Sequence, residues 1–142
     1  MQYREFGKTG VKVSALGFGC MRLPVIGGVN TQIEEEEAAR MLRTAIDRGV
    51  NYIDTAYPYH GGESEKFVGR ALQDGYREKV YLASKSPVFS ITKEEDFENF
   101  LQTQLERLQT DHIDFYLLHA LDADRWENVV KKFDLLTKIR RA

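Results

Sequence analysis

The stretch "NYIDTAYPYHGGESEKFVGRAL", residues 51–72, decides how the rest of the chain is read. Residues 51–56 form a short strand-like run that ends in a loop holding two glycines, after which the pattern turns helical. Over residues 63–75, Phe67, Val68, Ala71 and Leu72 fall on one helical face, and Gly75 stops it. Strand, loop and helix make one βα unit. At the strand's end stands Asp54, where a carboxylate is costly unless something nearby needs its charge. Tyr59 follows five residues later, beside the glycines.

The unit recurs on both sides. Further strands are expected at 14–21 ("SALGFGCM"), 80–85 ("VYLASK") and 113–120 ("IDFYLLHA"). All are almost continuously apolar, as parallel strands covered on both faces should be. A helix over 34–49 opens with the acidic run Glu34–Glu37, a solvated first turn, and stacks Ala38, Met41, Leu42, Ala45 and Ile46. In the third helix Thr92 and Glu95 read as a capping box, before the stripe Phe97, Phe100, Leu101, Leu105 and Leu108. A fourth carries Trp126, Val129, Val130, Phe133 and Leu136 at helical spacing. Upstream, residues 2–16 alternate around a glycine-containing turn and predict a β-hairpin. The fold class is therefore α/β: a hairpin followed by four βα units in one domain spanning 1–142. Such units fit a small open sheet or half of an eight-stranded βα-barrel.

The totals narrow the function. The 142 residues, 42% hydrophobic and 30% charged, suffice for one globular core. A net charge of −2 and the lack of a basic stripe argue against a nucleic-acid partner. Cys20 is the only cysteine, so an intrachain disulfide and a four-thiolate metal site are excluded. No metal is expected, because no HxH pair or carboxylate–histidine cluster has ligand spacing. The charged N-terminus has no apolar signal region and no run reaches a membrane span, so a cytoplasmic, membrane-free protein is expected.

Reactive groups in βα-barrels sit at the C-terminal ends of strands and in the loops beyond. Those positions hold Cys20 and Met21, then Asp54 with Tyr59, then Lys85, then His119. A carboxylate, an amine and an imidazole thus end successive strands, with a phenol beside the first. A phenol is a reluctant acid near neutrality, and a nearby ammonium favours its phenolate and makes it a better proton donor. A paired aspartate keeps a desolvated lysine charged. His119 is placed to hydrogen-bond a substrate oxygen or assist proton transfer. This set protonates an alkoxide forming from a carbonyl, and the hydride has to come from a cofactor. Tyr57 shares the loop and competes with Tyr59 for the phenol role. His60 reads as a loop residue and His112 as structural. Cys20 has no base placed to make it a nucleophile.

"DTAYPYHGGESEKFVGRAL", "VYLASKSP" and "HIDFYLLH" resemble the first half of the aldo/keto reductases, and "YREFGKTGVKVSALGFGCMRLP" is similar to that family's N-terminal hairpin and first strand. The wording is nearest a bacterial-type branch that often carries a C-terminal iron–sulfur segment, whose cysteines are absent here. The resemblance implies a (β/α)8 barrel and reduction of an aldehyde or ketone by NADPH or NADH. It places the catalytic tetrad on Asp54, Tyr59, Lys85 and His119, with Tyr59 as proton donor. It also lays Cys20, Met21, Arg22 and Asp54 against the cofactor. Family members are longer, and their second half grips the cofactor phosphates. A half-barrel has raw sheet edges and an apolar inner face, so the expected partner is a second copy or a complementary half-barrel. The alternative is a non-catalytic binding or remnant module.

Overall fold

The computed structural model describes residues 1–141; Ala142, the last residue of the expected domain, lies outside them. The hairpin forms as β1 (Tyr3–Glu5) and β2 (Lys12–Ser14), antiparallel, with Arg4 opposite Val13. The apolar runs then give β3 (Phe18–Gly19), β4 (Tyr52–Asp54), β5 (Tyr81–Ser86) and β6 (Phe115–Leu118). They make one parallel sheet in the order β3-β4-β5-β6, each strand beside its predecessor. The helices α1 (Glu35–Asp47), α2 (Glu63–Ala71) and α3 (Asp96–Leu108) link successive strands. This is the winding of half an eight-stranded βα-barrel.

The main core lies between sheet and helices. Leu42 and Ile46 of α1, Phe67 and Val68 of α2 and Leu108 of α3 bury against Ile53 and Leu82. At the strands' N-terminal ends Phe6, from the hairpin turn, packs 4.5 Å from Phe115, which lies 5.3 Å from Tyr52. The hairpin therefore covers that end, and the rim carrying Asp54 and Lys85 stays open. Among the described residues no helix is long and apolar enough to cross a membrane.

Three local expectations are revised. The run at 14–21 pairs in the parallel sheet only at Phe18–Gly19, because Ser14 belongs to the hairpin and its amide donates to Asn51 Oδ1 at 2.6 Å. The third helix has no capping box. Its first residue, Asp96, reaches back instead, and its carboxylate accepts from the Thr92 amide at 2.8 Å, the Thr92 hydroxyl at 3.0 Å and the Lys93 amide at 3.1 Å. The fourth helix is not continuous. Asp122 caps the short α4 (Ala123–Arg125), which widens into a π-helical turn at Trp126–Lys131 and breaks at Asp134, where φ is 49°. The helix α5 (Leu135–Arg141) follows. The break moves the inward register by one residue: Leu135 is fully buried with Val88, Ile91, Phe97 and Val130, while Leu136 is 41% exposed.

Candidate active site at the open rim

Parallel pairing decides which side chains meet. Asp54 lies opposite Ala83, so Lys85, two residues further along β5, projects from the same sheet face just beyond it. The Lys85 ammonium sits 2.8 Å from both Asp54 carboxylate oxygens and 2.8 Å from the Thr55 carbonyl. Three acceptors surround its three protons, and this fixes the nitrogen in place. The Lys85 side chain is only 13% exposed and that of Asp54 31%, so water screens this pair less than a surface ion pair.

Tyr59 lies next to the pair. The Lys85 nitrogen stands 4.9 Å from the centre of the Tyr59 ring. With its protons taken by Asp54 and Thr55, the ammonium acts on the phenol through its charge rather than through a hydrogen bond. Tyr57 goes the other way: its ring lies 4.2 Å from the Arg107 guanidinium and edge-on to Phe100 at 5.0 Å. The loop's two phenols are thus separated, and Tyr59 is the one beside the ammonium.

His119, just past β6, completes the group. Its ring meets Tyr59 edge-on at 5.8 Å and Phe89 at 5.5 Å, and its amide donates to the Ser86 carbonyl at 3.0 Å. Burial first, then the Lys85 ammonium, hold the imidazole below its ordinary pKa against the opposing pull of Asp54. The ring is therefore neutral at neutral pH. Its Nδ1 is buried without a protein partner. A buried polar atom without a partner is rare in a folded protein, and this one lies beside Tyr59 and Lys85.

The expected contacts after β3 divide. Met21 and Arg22 are exposed at the rim, but Cys20 has no exposed surface and packs in the main core. Its backbone is also committed, the amide donating to the Asp54 carbonyl at 2.8 Å and the carbonyl accepting from Ser64 Oγ at 3.0 Å. Burial, and then Asp54, push its thiol far above the ordinary range, which leaves it a poor nucleophile.

Two features escaped the sequence reading. His60 is no ordinary loop residue: it is 3% exposed and bonded through both ring nitrogens. Behind the rim, Glu65 is fully buried and its carboxylate accepts from Ser84 Oγ at 2.7 Å and Gln104 Nε2 at 2.5 Å. Gln104 also accepts from the Tyr116 hydroxyl at 2.6 Å and donates to the Lys85 carbonyl at 3.2 Å. This network props β5 from outside the barrel. Its signal was available: Glu65 stands three and seven residues before Val68 and Leu72, and is therefore on the inward face of α2. His112, at the other end, pairs with Asp111 at 2.6 Å and is exposed.

Comparison with known proteins gives the same reading independently. The model of the Aldo/keto reductase family matches residues 15–141. Over 131 residues the chain is 34% identical to the aldo-keto reductase YhdN of Bacillus subtilis, covering 86% of this chain and 39% of that protein. It is 37% identical to the methylglyoxal reductase YeaE of Escherichia coli over 131 residues, covering 87% of this chain and 45% of that one. The holo form of aldo-keto reductase AKR11C1 from Bacillus halodurans superimposes with a TM-score of 0.73 at 34% identity, over 97% of this chain and 47% of that one. The chain spans less than half the length of these curated relatives. With the family model matching nearly the whole chain and the same family recurring among its relatives and solved structures, this chain belongs to the aldo/keto reductases.

Proposed function

We propose that the open rim is the acid–base half of a nicotinamide-dependent carbonyl reductase site. When bound, NADPH or NADH supplies the hydride. The Tyr59 hydroxyl donates its proton to the carbonyl oxygen as that oxygen gains negative charge, and an alcohol results. The charge left on the Tyr59 oxygen is stabilised by the Lys85 ammonium, which Asp54 holds in place. His119, held neutral, offers an N–H to the same carbonyl oxygen and orients it without competing for the proton. Asp54, Met21 and Arg22 line the rim on the side where the cofactor would lie. The observation that carries this reading is the position of the Lys85 nitrogen, bonded to Asp54 at 2.8 Å and 4.9 Å from the centre of the Tyr59 ring. A small aldehyde or ketone is the substrate class, in keeping with the methylglyoxal reductase among the relatives.

The test is Tyr59→Phe. Reduction, followed by loss of cofactor emission, should fall about 10²- to 10⁴-fold, the usual worth of a positioned general acid. NADPH affinity, from a fluorescence titration, should stay unchanged. Turnover equal to the parent's would overturn the proposal. A second reading is a binding module without turnover. Absence of NADPH binding up to millimolar concentration would support it. On either reading we propose that the sheet is completed by four further βα units, from a second copy or a complementary half-barrel.

A further inference from the structure

The loop between β3 and α1 is a built object rather than loose chain. Val25 and Ile33 bridge antiparallel, Ile26 N donates to Gln32 O at 2.8 Å, and Glu34 N donates to Pro24 O at 2.9 Å. Residues 24–34 thus form a small flap. Its root is anchored by the buried Leu23 and Ile33, and its tip, around Asn30 and Thr31, is exposed. Nothing within the flap itself ties that tip to the rim.

His60 does. Its Nε2 accepts from the Leu23 amide at 3.1 Å, at the flap's root, and its Nδ1 meets the Asn30 carbonyl at 2.6 Å, at the tip. A carbonyl can only accept and an amide N–H can only donate, so the ring must be neutral with its proton on Nδ1. Protonating Nε2 would set one N–H against another. His60 also has φ of 53°, a left-handed conformation that a residue with a Cβ adopts only at a cost. Two hydrogen bonds made through a buried ring offset that cost. Gly61 brings the flap closer still: a Cβ there would come within 2.7 Å of the Thr31 methyl carbon.

We infer that His60 is a positioning residue, whose Nδ1-protonated imidazole pins the 24–34 flap to the turn that carries Tyr59. The flap begins directly after Met21 and Arg22, so the latch sets the distance between those side chains and the phenol. This bears on the proposed cofactor side of the site and rests on that reading only for its kinetic consequence.

The latch is tested first without any turnover. Amide hydrogen exchange on the full chain should show the Leu23 amide and the flap amides exchanging about ten-fold faster in His60→Ala. His60→Gln, which can place an acceptor near Nε2, should restore protection at Leu23 but not at the tip. Nitrogen-15 spectra should show His60 in the Nδ1–H tautomer. Should the reductase reading hold, His60→Ala raises KM for the cofactor more than it lowers kcat, whereas a Tyr59 variant does the reverse. If the Leu23 and flap amides exchange at parental rates in both His60 variants, or the proton resides on Nε2, the inference is wrong, whatever becomes of the catalytic proposal. Should His60→Ala not fold, His60→Gln and the parent's tautomer still decide it.

Discussion

His119 is pulled two ways, and which pull wins sets a pH dependence. Burial and the Lys85 ammonium disfavour its imidazolium, Asp54 favours it, and the net shift is downward from 6.5. The unfolded chain therefore takes up this proton at a higher pH than the folded chain does. The contribution is fully present above 6.5 and is lost as pH falls toward the lower folded value. Urea midpoints taken stepwise below neutrality should fall more steeply for the parent than for His119→Asn, and identical slopes would show that His119 does not carry the effect. Asp54, Lys85 and His119 were legible because each lies at or just past a strand end, and strands announce themselves by composition, whereas Tyr59 was separated from Tyr57 only by the family resemblance. Cys20 was legible only in part. Its place at a strand end was clear, but a short strand does not reveal which face its last side chain takes. His60 was not legible, since nothing in its neighbours states that its backbone is left-handed.

Among the elements, α2 and α3 approach closely at Gly69. A Cβ there would stand 2.5 Å from the Arg107 carbonyl oxygen and 2.8 Å from the Leu108 carbonyl carbon, both backbone atoms. Helix propensity alone would favour alanine by about 1 kcal/mol. Overpacking against atoms that cannot rotate aside costs about 1–3 kcal/mol or more, so it wins. Gly69→Ala should lower the midpoint of thermal unfolding by about 5 °C or more. It should also loosen Gln104 and Arg107, which prop β5 and the Tyr57 carbonyl from α3. An unchanged midpoint would mean that the helices slide apart at little cost. At this scale the first three helices were readable from their apolar faces. The fourth was not, because Trp126 through Leu136 has good helical spacing and nothing in it marks the break at Asp134. Only burial of Leu135 in the second core cluster shows that the register has shifted.

At the scale of the fold, the parallel sheet of the described residues runs from β3 to β6, and its edge at β6 is unprotected. Its four residues, Phe115 to Leu118, include no lysine or proline, the usual guards of an exposed strand. None of the four is fully buried, whereas four of the six in β5 are. Leu117 pairs in register with Lys85, so it shares the inner face with the rim residues, and it remains 39% exposed. Leu121 and Phe89, each 44% exposed, extend the apolar surface at the open rim. Burying one such side chain contributes about 1.5–3 kcal/mol, and a paired edge adds satisfied backbone groups. Self-association through these edges therefore has a driving force that the isolated half-barrel lacks. Sedimentation at micromolar concentration should find the chain mainly as a species of twice its own mass. Leu117→Lys, which puts a charge on the edge and beside Lys85, should shift it toward monomer. A compact parent monomer that unfolds cooperatively would mean that the edges close in some other way. Completion of the barrel by a second copy would then be wrong, while the geometry of Asp54, Tyr59, Lys85 and His119 within one chain would stand.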